Sequence, residues 1–261
     1  MDNRASEIKS VLRSGLNWSA NLLFPPACPG CGLRVSRPAT LCGDCWPKLR
    51  FLERPWCDVL GTPFERDEEE AVVSAAAIAD PPVFDRSRAA VAYTGVARKL
   101  VQNLKYGDRT DLAPWMARWM LRAGAELFEP GQVVVPVPLH WRRFLSRRFN
   151  QSAELARALA RLRGLTFAPE LLVRARLTRQ QVGLGQRERK ENVRAAFAVP
   201  AALKPRVSGA VILLVDDVYT TGATVSAAAK ALKRAGAARV DVLTFARVLP
   251  GDFLPEDQDL I

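Results

Sequence analysis

The sequence lacks a long apolar run, a secretory leader and a low-complexity tract. No stretch approaches the roughly 18 apolar residues of a membrane-spanning helix. Glu7, Lys9 and Arg13 interrupt the region where a secretory leader needs its apolar core. These absences lead us to expect a cytoplasmic protein. The chain has 261 residues, of which 49% are hydrophobic, and this is enough for one α/β domain with a small appendage.

The sequence also has no Gly-Lys-Ser/Thr phosphate-binding loop and only one histidine, His140. Ala223 and Thr224 stand where the ending of such a loop would be needed, so ATP hydrolysis is not indicated. Histidine can change its charge near neutral pH, and for His140 a role in proton transfer and a structural, hydrogen-bonded role both remain open.

Positive charge is abundant but unevenly placed. The formal net charge is +11, and residues 140–190 hold 13 Lys and Arg against 3 acidic residues, whereas residues 61–80 hold 1 Arg against 6 acidic residues. Concentrated basic charge favours a polyanionic ligand, either pyrophosphate or a nucleic-acid backbone. A solvated, arginine-rich helical face would have the same composition, and this alternative stays open.

Cysteine is scarce, but four of the five cysteines are paired. Two Cys-x2-Cys pairs are separated by ten residues, a spacing that suits one tetrahedral zinc ion bound by four thiolates. The expected ligands are Cys28, Cys31, Cys42 and Cys45. Four thiolates close the coordination sphere, so the zinc should be structural; reduced cysteines without a metal are the alternative. Cys57 lies outside the set and is not assigned to metal.

An aliphatic run that ends in two carboxylates is the strongest indication of a binding site. Residues 211–215 lack polar alternation, as expected for a strand covered on both faces, and Asp216 and Asp217 follow at its carboxyl end, where α/β sheets bind ligands. A turn then opens a helix over residues 225–235, whose free N–H groups suit a phosphate. The turn residues are Thr220, Thr221, Gly222, Ala223 and Thr224. The pattern indicates a sugar-phosphate site; a strand-turn-helix without a ligand is the alternative.

Strands and helices alternate along the rest of the chain, which predicts an α/β fold with a mostly parallel sheet flanked by helices. The expected strands are 89–93, 133–137, 197–199 and 240–246, and the expected helices are 5–23, 96–105, 112–123 and 150–162. We detect no internal repeat. The expected division is a helix and zinc knuckle over 1–60, an acidic, Pro-rich linker over 61–83, a second domain over 84–250 and a tail over 251–261.

The acidic pair and the turn after it resemble the 5-phosphoribosyl 1-pyrophosphate (PRPP) motif of the type I phosphoribosyltransferases. The resemblance implies a type I phosphoribosyltransferase-like domain with PRPP as its ligand and Mg²⁺ bound with it. By this resemblance Asp216 and Asp217 contact the ribose hydroxyls, and residues 220–224 hold the 5-phosphate.

Further motifs resemble the ComF family of competence-associated proteins, and the resemblance covers residues 22–248. The motifs are Phe24-Pro25-Pro26, the four-cysteine knuckle, Pro136-Val137-Pro138-Leu139-His140 and Phe149-Asn150-Gln151-Ser152. Two positions depart from the family pattern: Leu60 replaces the second cysteine of a further Cys-x2-Cys pair, and Arg148 replaces a glycine. The first departure leaves a second metal in doubt.

The resemblance also implies two loops around the PRPP site. The loop after the strand over 133–137 would bind pyrophosphate, because parallel strands end at the same edge of a sheet. Its residues are Pro138, Leu139, His140, Arg142 and Arg143. A basic segment with two glycines, residues 174–194, occupies the place of a hood loop that closes over the site. Its candidate residues are Arg179, Gln181 and Arg187.

Taken together, the patterns predict a zinc-stabilised phosphoribosyltransferase, a glycosyltransferase that binds Mg-PRPP and transfers ribosyl phosphate to an acceptor that no sequence feature identifies. Two alternatives remain open. The first is a protein that senses PRPP without catalysis and has DNA or a competence helicase as its partner. The second is a single-stranded DNA binder that uses the basic segment and the aromatic residues Trp141, Phe144 and Phe149.

Overall fold

A computed structural model describes residues 25–64, 72–107, 109–139, 149–174, 196–249 and 251. Its contacts divide the chain into two compact units, Met1–Lys48 and Leu49–Ile261. Among the described residues no helix is both long and apolar enough to cross a membrane.

The second unit is built on a five-stranded sheet in which every strand pair is parallel. Its strands are β1 (Arg86–Ala92), β2 (Val133–Pro136), β3 (Thr166–Phe167), β6 (Val211–Tyr219) and β7 (Arg239–Arg247), and a separate antiparallel pair is formed by β4 (Val173–Arg174) and β5 (Phe197–Ala198). The order in the sheet is β1-β7-β6-β2-β3, with β6 at the centre. The α/β fold with a mostly parallel sheet is thus confirmed.

Helices cover both faces of this sheet. They are α1 (Ala75–Ala79), α2 (Gly95–Tyr106), α3 (Ala113–Ala123), α4 (Gln151–Arg163), α5 (Lys204–Val207) and α6 (Ala223–Arg234). Side chains alternate across a strand, so Ile212 and Leu214 of β6 share a core with α6, whereas Leu213 and Val215 point to the opposite face. On that face α4 packs against β2 and β6, and α3 packs against β1 and β7.

The central strand is longer than the sequence predicts. We expected a strand over residues 211–215 that ends before the acidic pair, but β6 continues to Tyr219 and contains both Asp216 and Asp217. The reason is its neighbour: β7 runs on to Arg247, and its backbone pairs with β6 as far as Tyr219. Pairing therefore extends the strand where the apolar pattern stops.

Residues 49–64 lie against the edge strand β1. Phe51 forms an isolated antiparallel bridge with Val91, and the Leu52 N–H donates to the Ala90 carbonyl at 3.0 Å. Leu52 also packs in a small apolar cluster on β1. The segment expected to be a linker contains α1, whose first turn is capped by the Ser74 side chain.

Candidate active site and metal centre

The two aspartates of β6 lie at a junction of three elements and are nearly buried, with 8% and 9% of their surface exposed. The Ser152 hydroxyl, from the first turn of α4, donates to Asp216 Oδ1 at 2.7 Å. The Asp217 N–H donates to the same oxygen at 2.9 Å. On the other side, Lys105 Nζ at the end of α2 lies 3.2 Å from Asp217 Oδ2. The acidic pair is thus held between one hydroxyl and one ammonium group.

The surroundings of the Asp216 carboxyl group shift its pKa toward neutral pH. Burial and the neighbouring Asp217 carboxylate raise the pKa of Asp216 to about 7, although the Ser152 hydroxyl favours the ionised form. Burial lowers the pKa of Lys105, but the charge and hydrogen bond of Asp217, together with Tyr93 and Asp216, outweigh it and keep the pKa above its usual value. The site therefore combines a stable cation with an acidic pair whose charge changes near pH 7.

Lys105 and Ser152 were missed by the sequence analysis. Ser152 belongs to the Phe-Asn-Gln-Ser motif, which carried the family resemblance but no role. Its position is fixed by Asn150, which caps α4 by accepting from the Ser152 N–H at 3.1 Å and donates from Nδ2 to the Val137 carbonyl at 3.0 Å. Lys105 is an ordinary lysine at the end of an amphipathic helix, and no sequence signal marks it.

The turn between β6 and α6 depends on a glycine in the left-handed region. Gly222 has a φ of +79°, and a Cβ there would lie 2.3 Å from the Tyr219 hydroxyl, so only glycine fits. Thr221 Oγ1 accepts from the Ala223 N–H at 3.4 Å. Thr221, Ala223 and Thr224 are exposed, while Thr220 is half-buried. The exposed start of this twelve-residue helix thus presents its positive dipole end to solvent, where an anion could bind.

Tyr219, whose side chain lies beside Gly222, contacts a buried arginine. The Arg247 guanidinium lies 4.0 Å from the centroid of the Tyr219 ring. Its Nη1 donates to the Leu60 carbonyl and, at 3.3 Å, to Ser87 Oγ. The Ser87 hydroxyl also donates to the Leu60 carbonyl at 2.6 Å. A chain of contacts therefore runs from residue 60 to the turn at Gly222.

Of the expected pyrophosphate loop, the described part lies beside the acidic pair. Pro136 pairs with Val215, and the Val137 N–H donates to the Val215 carbonyl at 2.9 Å, so the half-buried Pro138 and Leu139 continue along the same edge. His140, Arg142 and Arg143 lie outside the described residues, as do the hood-loop candidates Arg179, Gln181 and Arg187.

The four paired cysteines converge in the first unit. Their sulfur atoms all lie within 4.8 Å of one another, and Cys31 Sγ lies 3.5 Å from Cys42 Sγ. Two sulfurs that bind one tetrahedral zinc at about 2.3 Å lie about 3.8 Å apart, so this cluster fits the ion. The Cys28 sulfur accepts from the N–H groups of Gly30 at 3.4 Å and Cys42 at 3.3 Å.

The thiol pKa values show why this cluster suits a cation. Against the effect of burial, backbone N–H groups lower the pKa of Cys28 to about 6. Burial and the neighbouring sulfurs raise the pKa of Cys45 to about 12. The Cys45 thiol thus resists ionising beside the other sulfurs unless a positive ion balances their charge, and zinc would supply that charge.

Comparison with known proteins agrees with both units. A family model described as a phosphoribosyl transferase domain matches residues 158–259, and one described as a double zinc ribbon domain matches residues 19–76. The DNA utilization protein YhgH of Salmonella typhimurium is 33% identical over 228 residues, covering 85% of this chain and 84% of the relative. Competence protein F of Haemophilus influenzae is 25% identical over 212 residues, covering 79% and 90%. The chain belongs to the ComF family.

ComF relatives extend to other bacteria, and two solved structures match part of the chain. The YhgH protein of Escherichia coli K12 is 31% identical over 228 residues, with the same coverage as its Salmonella counterpart. An allosteric regulatory enzyme of purine biosynthesis matches with a TM-score of 0.39 and 22% identity, covering 55% of this chain and 29% of that one. Glutamine PRPP amidotransferase from B. subtilis matches with a TM-score of 0.38 and 23% identity, covering 54% and 30%.

Proposed function

We propose that this ComF protein binds Mg-PRPP at the carboxyl end of β6. The observation that carries the proposal is the position of the buried pair Asp216–Asp217. The pair lies near the end of β6, and the short turn after β6 leads through Gly222 into α6. Carboxylates accept hydrogen bonds from ribose hydroxyls, and the open helix start binds a phosphate. The acidic pair would bind the ribose, and the helix start that follows it in the chain would bind the 5-phosphate.

The residues around the pair would position the sugar. Ser152 holds Asp216 Oδ1 at 2.7 Å, and this leaves its second oxygen available to a hydroxyl. Lys105 fixes Asp217 and adds a positive charge beside the ribose. Mg²⁺, bound with PRPP, would neutralise part of the pyrophosphate charge. The residues that would share this work, Arg142 and Arg143, remain proposals from the sequence.

Transfer of ribosyl phosphate is the reaction we propose for this site. The bond between C1 of the ribose and the pyrophosphate oxygen breaks, and C1 forms a bond with an acceptor through an oxocarbenium-like transition state. The protein contributes mainly orientation: the aspartates hold the hydroxyls, and the α6 turn holds the phosphate, so that C1 faces the acceptor. The acceptor is not identified by any residue described above.

A second candidate is PRPP binding without transfer, in a protein that acts on DNA or through a helicase partner. The names of the relatives, DNA utilization protein and competence protein, favour a connection with DNA. Nine of the 13 basic residues in the segment 140–190 that would bind it lie outside the described residues, and Phe149 is half-buried. The two candidates share the PRPP site and differ in turnover.

Calorimetry with Mg-PRPP tests the shared site. We expect the variant Asp216→Asn/Asp217→Asn to bind at least about tenfold more weakly, because hydrogen bonds to charged groups contribute about 1.5–3 kcal/mol each. A control, Asp111→Asn/Glu170→Gln, removes two exposed carboxylates that make only surface ion pairs and should bind as the wild type does. Absence of wild-type binding at millimolar PRPP, or equal binding by both variants, would refute the proposal. Pyrophosphate release, measured with a panel of bases and with single-stranded DNA, separates transfer from binding alone.

A further inference from the structure

Residues 55–64 repeat the backbone hydrogen bonds of residues 26–35. In each segment a cysteine begins a tight turn that closes with a glycine in the left-handed region: Cys28 with Gly32 (φ +81°), and Cys57 with Gly61 (φ +64°). The glycine N–H donates to the cysteine carbonyl at 2.8 Å in the first segment and 2.7 Å in the second. The turn is thus the same at both cysteines.

The flanking contacts of the two turns also correspond, position by position. The residues before and after each turn form an isolated antiparallel bridge, Ala27 with Arg34 and Trp56 with Pro63. One residue further out on each side, the matching N–H to carbonyl bonds are both 2.9 Å long, Val35 to Pro26 and Phe64 to Pro55. The cysteine N–H groups donate five residues ahead, at 2.7 Å to Leu33 and 2.9 Å to Thr62.

The second half of each motif matches as well. The Cys42 N–H donates to Cys28 Sγ at 3.3 Å, and the Ser74 N–H donates to Cys57 Sγ at 3.3 Å. Both residues then begin a helical turn whose fourth following N–H donates back at 3.1 Å, from Trp46 and from Ile78. Ser74 therefore occupies the position of Cys42.

The remaining two ligand positions follow from this register. Three residues after Cys42 lies Cys45, and three residues after Ser74 lies Ala77; each has 4% of its surface exposed. Three residues after Cys28 lies Cys31, and three residues after Cys57 lies Leu60. The second set is thus Cys57, Leu60, Ser74 and Ala77.

We infer that residues 55–64 together with 72–78 form a second zinc ribbon that has lost three of its four ligands and keeps its fold without a metal. The double zinc ribbon domain that matches residues 19–76 would hold two ions, but one thiol, one hydroxyl and two apolar side chains cannot bind the second. Residues 26–46 are called the first ribbon below, and residues 55–64 with 72–78 the second ribbon.

Contacts with the sheet take the place of the second ion. The Leu60 carbonyl accepts from Ser87 and from Arg247, and Leu60 packs on the main core. The Cys57 sulfur, fully buried, accepts from the N–H groups of Leu60 at 3.4 Å and Ser74 at 3.3 Å, so it satisfies the backbone as a metal-bound sulfur would. The ribbon is therefore held by strands β1 and β7.

Restoring the lost ligands tests the inference. Leu60→Cys/Ser74→Cys/Ala77→Cys should bind two zinc ions per chain where the wild type binds one, and Co²⁺ should show twice the tetrahedral thiolate absorption. The control Leu60→Cys/Ala75→Cys/Ala76→Cys adds the same number of thiols, but two of them lie at exposed positions, and it should stay at one ion. A folded restored variant with one ion, or a control with two, would overturn the inference.

A single substitution covers the case in which the triple variant does not fold. Ser74→Cys should form a disulfide with Cys57 on mild oxidation, because the sulfurs at the matching positions of the first ribbon lie within 4.8 Å of each other. Mass spectrometry would locate the cross-link, and Ala76→Cys is the matched control that should not form it. A cross-link in the control alone, or in neither variant, contradicts the register. This test does not depend on PRPP binding.

Discussion

The two ribbons have the same backbone and different means of stabilisation. In the first ribbon a Cβ added at Gly32 would meet no atom within 4 Å, and Leu33 is 55% exposed. In the second ribbon a Cβ at Gly61 would lie 2.2 Å from the Ser87 carbonyl oxygen. No atom packs against the first turn at Gly32, whereas the second turn packs closely against strand β1 at Gly61. The comparison indicates that packing against a neighbouring sheet can stabilise a ribbon that has no metal ion.

Size explains why only one of them needs zinc. A segment of about twenty residues cannot bury enough apolar surface to offset the entropy of folding, so it needs a metal or a larger body. The described part of the first ribbon brings four thiols together, and zinc supplies the missing free energy. The second ribbon shares the core of the sheet through Leu60, so the loss of its ligands was tolerable.

The largest expected difference between the ribbons is their response to metal loss. Cys28→Ser/Cys31→Ser should lose the single zinc, and with it a binding free energy of about 10–16 kcal/mol. Hydrogen exchange should then show loss of protection over residues 26–35 and unchanged protection over residues 55–64. Cys57→Ser is the control and should retain one zinc. Zinc retention in the first variant, or loss of protection in both ribbons, would break the comparison.

A methyl group at the two matched glycines should have unequal effects. Gly32→Ala introduces only left-handed strain, about 1–2 kcal/mol. Gly61→Ala adds a clash with the Ser87 backbone and should destabilise its ribbon by about 3–5 kcal/mol. Free energies of opening from native-state hydrogen exchange, measured in each ribbon for each variant, provide the test. Equal losses would mean that the second turn is not braced by β1.

The smallest expected effect concerns the link from the second ribbon to the phosphate turn. Arg247→Met removes the cation from the Tyr219 ring, a contact of about 0.5–2 kcal/mol, and should weaken PRPP binding about three- to tenfold. Zinc content should not change. The control Arg239→Met removes an arginine from the other end of β7, where it pairs with Glu129 and with the buried Asp241, which Arg86 also binds. Equal PRPP affinities of the two variants in calorimetry would mean that the second ribbon does not influence the PRPP site.

Features that depend on the type and spacing of residues could be predicted from the sequence. The paired cysteines are close together as expected, and the ComF family and the parallel α/β sheet are confirmed. The strand over 211–215 and the helix over 225–235 exist with shifted ends, because pairing with β7 and the turn at Gly222 set those ends. The roles assigned to the site residues remain predictions.

Features held in backbone geometry could not be predicted. We detected no repeat, because the second ribbon keeps only one cysteine of four and shares with the first little more than the Cys-x3-Gly spacing, while most of its likeness lies in backbone hydrogen bonds. The family resemblance pointed only to Cys57 and Leu60 as an altered Cys-x2-Cys pair. Lys105 meets Asp217 only through the packing of α2, across more than a hundred residues of sequence. Strands as short as β3, with two residues, and a helix as short as α1 offer too little sequence for a periodic pattern.

The Asp216 carboxyl group makes the proton a competitor at the proposed ribose site. Burial and the Asp217 charge raise its pKa to about 7, so its protonation depends on pH in the neutral range. A ligand that donates hydrogen bonds to it selects the ionised form, lowers the pKa and releases a proton as it binds. The sign follows: affinity should rise as the pH rises through 7 and fall on acidification. The pH of the surroundings would thus tune occupancy of the proposed site without any change in ligand concentration.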